Sequence, residues 1–358
     1  MPRETIAWID PSAIAANLAM VRARVGRARV MAVVKADAYG HGLEGLLPAL
    51  SAADLLAVAT IDEARAVRRH DQAVPLLLLE GPMDHDDLHA ADALNLEMVV
   101  HHPEQLAWLE QARLGPGARV WLKIDTGMHR LGFAPEQAVD AYTRLRQMPG
   151  VEEVVLMSHF ACADRPDHPL NRLQIHRFDT TVRDLPGPHC LANSAAILGL
   201  PETHRDWVRA GLLLYGVSPI DSQTGGSLGL RPAMTLSTRL IAINRVQAGE
   251  SIGYGARFRA PTAMRVGVAA IGYGDGYPRN MPDGAPVLVN GRRQRLVGTV
   301  SMDMITIDLS DQPEARVGDP VELWGPSLPI EEVARHADTI PYELLCRVTR
   351  RVEYRLRS

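Results

Sequence analysis

The chain has 358 residues, 46% of them hydrophobic and 22% charged, which suits one large or two ordinary globular domains. A net charge of -4 at pH 7 and a pI near 6.4 give no support to a nucleic-acid or membrane-surface role. Three cysteines, Cys162, Cys190 and Cys346, are odd in number and far apart, which excludes a disulfide framework and a cysteine zinc site.

The opening stretch MPRETIAWID has no apolar signal core, and no apolar run is long enough to span a bilayer. A cytoplasmic location is the expectation. Thr5–Ile9 reads as a short strand, and Asp10-Pro11-Ser12 starts a helix to about Val25. Val30–Val34 is a branched apolar run too short for a typical helix, and it ends on Lys35. A turn of small residues follows, ADAYGHG, and then a helix-like segment, Leu43–Ala52.

Apolar strands then alternate with amphipathic helices. Strands are expected at 55–59, 75–80, 96–100, 119–125, 153–159, 189–193 and 207–210. A helix follows a Thr60/Glu63 capping box, and further helices fall near 84–93, 103–114, 135–147, 170–185 and 195–200. Counted from the Lys35 strand, eight units imply a parallel (β/α)₈ barrel, although periodicity alone also admits a doubly wound sheet.

Ser222–Gly229, SQTGGSLG, is a Gly/Ser-rich break. Beyond it, 234–246, 264–271, 287–290, 295–300, 304–309 and 320–324 read as strands without long helices between them. Asn290-Gly291 is a hairpin turn signal. One helix is expected near 330–337. The expected division is a barrel over residues 1–230 and a mostly antiparallel β domain over 231–358.

Active sites of such barrels sit where strands end. Lys35 closes the first strand, Lys123 and Asp125 the fifth, Ser158-His159 the sixth, Asn193-Ser194 the seventh, and Arg209 with Gly211 the eighth. A lysine closing a buried strand is poorly solvated, so its pKa is expected to fall. A neutral lysine is a nucleophile, a base and a Schiff-base former. Plainer readings have Lys35 reaching solvent past the strand end or pairing with Asp37.

The string VKADAYGHG resembles the pyridoxal-phosphate lysine motif of alanine racemases. The loop DTGMHRLGF, the pairs His159-Phe160 and Asn193-Ser194, RAGLLLYG, GYGARF, GYGDGYPR, SMDM and PYE are similar to motifs of that family, in family order, over nearly the full chain. The resemblance implies a barrel joined to a β domain, with the first few residues belonging to the β domain.

Roles follow position by position as what the resemblance implies. Lys35 would hold pyridoxal 5'-phosphate covalently and, once displaced, act as a base on D-alanine. Tyr39, Asn193, Ser194, Gly211, Leu212 and Tyr342 would contact the phosphate, and His159 would pack near the pyridine ring. Arg209 would face the pyridine nitrogen as a permanent donor, which weakens the ring as an electron sink and favours prompt reprotonation. Tyr254 would be the second base, acting on L-alanine. Arg130 and Met302, with Asp303 beside them, would bind the substrate carboxylate region.

Lys123 matches a lysine that can be carbamylated to brace Arg130; an unmodified Lys123 paired with Asp125 is the alternative. On alternation Trp121, Lys123 and Asp125 share one strand face. No metal is implied. A head-to-tail homodimer would share its active sites between chains. The implied role is supply of D-alanine for peptidoglycan or recovery of L-alanine for catabolism.

Three other readings compete. A pyridoxal-phosphate decarboxylase of the same fold would place a carboxylate, not Arg209, at the pyridine nitrogen. A non-catalytic pyridoxal-phosphate carrier would resemble the barrel alone. A cofactor-free Schiff-base aldolase would explain Lys35 but not Arg209 with Asn193-Ser194.

Overall fold

The computed structural model describes residues 3–112 and 114–357. Eight parallel strands close a barrel: β2 (Arg29–Val33), β3 (Leu55–Val58), β4 (Leu76–Leu78), β5 (Glu97–Val100), β6 (Ala118–Lys123), β7 (Val151–Met157), β8 (His189–Cys190) and β9 (Trp207–Ala210). β9 pairs back onto β2, Trp207 opposite Arg29. The strands are short and nearly all buried, because helices cover them outside and side chains fill them inside. The alternation in the sequence thus marks a closed barrel and not an open sheet.

β1 (Ile6–Ile9) stands outside the barrel. It lies in an eight-stranded sheet with β10 (Met234–Val246), β13 (Met264–Ala269), β14 (Pro286–Val289), β15 (Arg292–Leu296), β16 (Ile305–Asp308), β17 (Pro320–Trp324) and β18 (Glu353–Leu356). Its neighbours are antiparallel β10 and parallel β18. A separate two-stranded ribbon joins β11 (Ser251–Ile252) to β12 (Phe258–Arg259). The long β10 pairs with β17 along Leu236–Arg239 and with β13 along Leu240–Val246, with an irregularity between Leu240 and Ala242, so the sheet curls around it. β14 and β15 meet through Asn290-Gly291, both at positive φ, as the hairpin signal requires. One continuous apolar core runs from the barrel into this sheet, so the two parts are packed as one body.

Several elements differ from the sequence reading. Leu43–Ala52 holds a 3₁₀ helix, Glu44–Leu50, since Pro48 removes a backbone donor in its middle. The helix expected to reach Leu114 spans Pro103–Gln111, and Arg113 lies outside the described residues. A helix at Pro341–Arg347 was not expected. No helix among the described residues is long and apolar enough to cross a membrane, and no group of His, Cys, Asp and Glu there could hold a metal.

Candidate active site

Lys35 lies two residues past the end of β2. The residues after it, Ala36 to Tyr39, all take left-handed backbone angles, φ between 52° and 54°. Such angles cost roughly 1–2 kcal/mol for each residue with a side chain. The surroundings over-determine them. The Ala36 amide donates to Glu63 Oε1 at 2.7 Å and the Leu43 amide to Asp37 Oδ1 at 2.8 Å. His41 Nδ1–H donates to the Ala38 and Tyr39 carbonyls, each at 3.0 Å. Burial lowers the His41 pKa to about 4, so the ring stays neutral. Gly40 follows at φ 74°, where a Cβ would strike the Leu345 carbonyl of the unexpected helix. Strain of this kind persists where surrounding structure over-determines it, and it clusters at functional sites.

The expected burial of Lys35 is not observed. Its side chain is 40% exposed, because the strand stops at Val33 and the barrel mouth opens there. Asp37 is engaged by Leu43, and the nearest acid is Glu80, with Oε1 4.0 Å from Lys35 Nζ. Glu80 carried no role in the sequence reading; it follows β4 and so reaches the same mouth.

The turn aims Tyr39 at the end of β9. An ideal Cβ on Gly211 would lie 2.8 Å from Tyr39 Oη, and the Gly211 amide donates to Ser194 Oγ at 2.8 Å. Asn193 caps the next helix through the Ala196 amide, and Leu212 opens a 3₁₀ turn whose first amide has no partner within that turn. The Tyr342 ring lies 5.8 Å from that of Tyr39. Burial pushes the Tyr342 pKa up to about 12 and that of Tyr39 higher still, so both phenols remain donors. Hydroxyls and amides converging where a side chain would not fit suit a phosphate.

Arg209 is 4% exposed. Its Nη1 donates to the Cys190 carbonyl (3.1 Å), and its Nη2 to the carbonyls of Ser158 (2.8 Å) and Leu191 (3.0 Å) and to His159 Nδ1 (3.1 Å). No carboxylate pairs with it among the described residues, and Nε carries none of these bonds. His159 is held well below its usual pKa by burial and then by the Arg209 charge, so it accepts from Arg209 as a neutral ring.

Lys123 is 7% exposed and lies near enough to Arg209, Arg130 and Lys35 to feel their charge, in keeping with a side chain turned towards the barrel mouth. Burial first, then the charges of Arg209, Arg130 and Lys35, lower its pKa to about 8. The alternative pairing with Asp125 is not observed. Asp125 lies beyond the strand end and its Oδ1 accepts from the amides of Gly127, Met128 and His129. Arg130 is exposed on the same loop.

The β-domain residues stand apart. Tyr254 is 71% exposed and Met302 51%. Asp303 pairs with Arg351. Among the described residues no hydrogen bond or ion pair joins Tyr254, Met302 or Asp303 to Lys35, Lys123, Arg130 or Arg209 within the chain. These residues therefore fall into two separate groups, one at the barrel mouth and one on the β domain.

The family model described as "Alanine racemase, N-terminal domain" matches residues 9–219, and "Alanine racemase, C-terminal domain" matches 233–356. A protein of Nitrosococcus oceani described as alanine racemase is 54% identical over 348 residues, 97% of each chain. The biosynthetic alanine racemase of Pseudomonas aeruginosa superposes with a TM-score of 0.97 at 47% identity, over 99% of this chain and 100% of that one. An alanine racemase of Bartonella henselae with covalently bound pyridoxal phosphate superposes at 0.89, with 28% identity, over 99% of this chain and 100% of that one. With both halves matched in order and close relatives covered almost end to end, this chain belongs to the alanine racemase family.

Proposed function

We propose that this chain interconverts L-alanine and D-alanine with pyridoxal phosphate, using Lys35 and Tyr254 as bases on opposite faces of the substrate. The bound cofactor supplies a sink for the electron pair left when the Cα proton departs. The chain supplies position, charge and proton transfer. Lys35 attaches the cofactor and, when free, moves the proton of the D enantiomer. Tyr39, Ser194, Tyr342 and the Gly211 and Leu212 amides hold the phosphate, with Asn193 fixing the helix turn beside it. His159 lies against the ring.

Arg209 is the observation that carries this reading. A buried guanidinium fixed by backbone carbonyls stays charged and would donate at the ring nitrogen of a bound cofactor without giving up a proton. It would thereby keep the ring a weaker electron sink, which favours returning the proton to Cα. A decarboxylase would need a carboxylate in this place. Incubation with L-alanine and added cofactor should give equal amounts of the two enantiomers. Loss of carbon dioxide with formation of ethylamine would instead mark a decarboxylase.

Arg130 and Met302 receive the substrate carboxylate, with Asp303 beside them. Lys123 supports Arg130 once carbamylated. With a pKa of about 8, half of Lys123 is neutral at pH 8, against roughly 0.4% of an ordinary lysine. The neutral amine adds to carbon dioxide and loses a proton to solvent. The resulting anion pairs with Arg130, which a cationic Lys123 would repel. Protein equilibrated with ¹³C-bicarbonate at pH 8 should show one carbamate carbon by NMR, absent from Lys123→Ala and lost as the pH falls well below 8. A signal that survives Lys123→Ala would contradict the assignment.

The two groups are brought together in a homodimer, the β domain of one chain over the barrel mouth of the other. The exposed Tyr254, Met302 and Met304 support this reading, since large apolar side chains left in solvent by one chain can be covered by another. We place the division of the chain at residues 1–230 and 231–358, with β1 as the segment that crosses it.

A further inference from the structure

Arg3 lies just ahead of β1 and Arg351 just ahead of β18. Those strands pair in parallel, Ile6 opposite Glu353, and the Glu353 amide donates to the Thr5 carbonyl at 3.0 Å. The segments leading into them therefore arrive side by side, and two guanidiniums meet. Their repulsion is relieved by Asp275, whose side chain is wholly buried. Arg3 Nη1 donates to Asp275 Oδ1 at 2.9 Å and Nη2 to Oδ2; Arg351 Nε lies 3.4 Å from Oδ1. The Gly272 amide donates to Oδ2 at 2.9 Å.

Both arginines also reach the next loop. Arg3 Nη2 donates to the Asp303 carbonyl at 3.4 Å, and Arg351 Nη2 donates to Asp303 Oδ1. The two loops are laced directly: the Tyr273 amide donates to the Ser301 carbonyl at 3.0 Å and the Gly274 amide to the Met302 carbonyl at 2.9 Å. Thr299, at the start of the same loop, donates through Oγ1 to the Tyr254 carbonyl at 3.1 Å. Polar contacts, joined by the main chain of residues 299–302, thus lead from the paired arginines through Asp275 and the Met302 loop to Tyr254.

We propose that Arg3, Asp275, Arg351 and Asp303 form a positioning clamp that fixes Met302 and Tyr254 against the substrate. The inference rests on the reading of Tyr254 as the second base. The clamp acts through the main chain of the loops it holds, so its loss shifts Tyr254 away from Cα and leaves Lys35 in register, while the loosened Met302 contact weakens binding of both enantiomers alike.

Asp275 is a poor first target, because removing it leaves two guanidiniums without their buried partner. Arg351 and Arg3 are partly exposed, 42% and 34% by side chain, so their removal is better tolerated. The test uses cofactor-loaded Arg351→Gln, Arg3→Gln and Arg351→Lys proteins in deuterated water. It reads early deuterium uptake at Cα from each enantiomer. At saturating substrate both glutamine variants should lose uptake into L-alanine by roughly 10- to 100-fold, with uptake into D-alanine changed by no more than about twofold. Arg351→Lys should fall between them and wild type, since an ammonium keeps the charge but not the fork. Unchanged cofactor absorbance and melting temperature should accompany the selective loss. Equal loss from both enantiomers, or no loss, overturns the clamp. Tyr254→Phe is measured alongside: if it loses L-alanine uptake while the arginine variants keep it, the clamp alone fails. If Tyr254→Phe itself keeps that uptake, the base assignment fails and takes the clamp with it.

Discussion

Lys35→Ala and Tyr254→Phe are expected to fail on opposite faces of the substrate. Racemisation needs a proton removed on one side of Cα and returned on the other, so either variant should lose net racemisation. A positioned acid or base contributes about 10²- to 10⁴-fold. Tyr254→Phe should fall by that order while deuterium exchange on D-alanine, which uses Lys35, is relatively spared. Lys35→Ala should fall further, because it loses the attachment point of the cofactor as well as a base. Borohydride reduction of the wild-type holoenzyme, followed by peptide mass spectrometry, should place the pyridoxyl group on Lys35. A label on Lys123, or none, would contradict the assignment. So would equal loss of exchange from both enantiomers in Tyr254→Phe with cofactor still bound.

The barrel was legible because its strands are short apolar runs between amphipathic helices, and the strand ends collected the polar residues. Arg209 arrives at the strand end that the sequence places it on, and Lys123 is buried at the end of its own. The left-handed turn after Lys35 was not legible. Ala36, Asp37 and Ala38 read as a turn, but nothing in them dictates positive φ; that comes from Glu63 and the helix at Pro341–Arg347, which reach the turn from elsewhere in the chain, with His41 closing it locally. That helix has seven residues and β18 is exposed along its length, so neither shows a buried periodicity.

The solvation of Lys35 was misjudged because a buried strand does not guarantee a buried residue two positions later. The alternative pairing of Asp125 with Lys123 fails for a related reason: past the strand end its carboxylate serves the turn and not its strand neighbour. The pairing of Arg3 with Arg351 depends on strand partners at opposite ends of the sequence, which no local pattern records.

The exposure of Tyr254 is the feature that the proposed second chain would account for most directly. Its backbone is held by Thr299 and by glycines at positive φ on either side, Gly253 and Gly255, but its ring faces solvent. If a partner's barrel mouth receives it, each active site of a dimer takes Lys35 from one chain and Tyr254 from the other. Lys35→Ala and Tyr254→Phe proteins, each nearly inactive, can then rescue one another. Mixed in equal amounts, unfolded and refolded together, they should form about half mixed dimers, each with one site made of two native residues and one site with neither. Racemase activity of the refolded mixture should recover to about a quarter of wild type. If the two bases came from a single chain, no pairing would rebuild a site. Persistent inactivity, with mixed dimers confirmed by native mass spectrometry, would contradict the shared site.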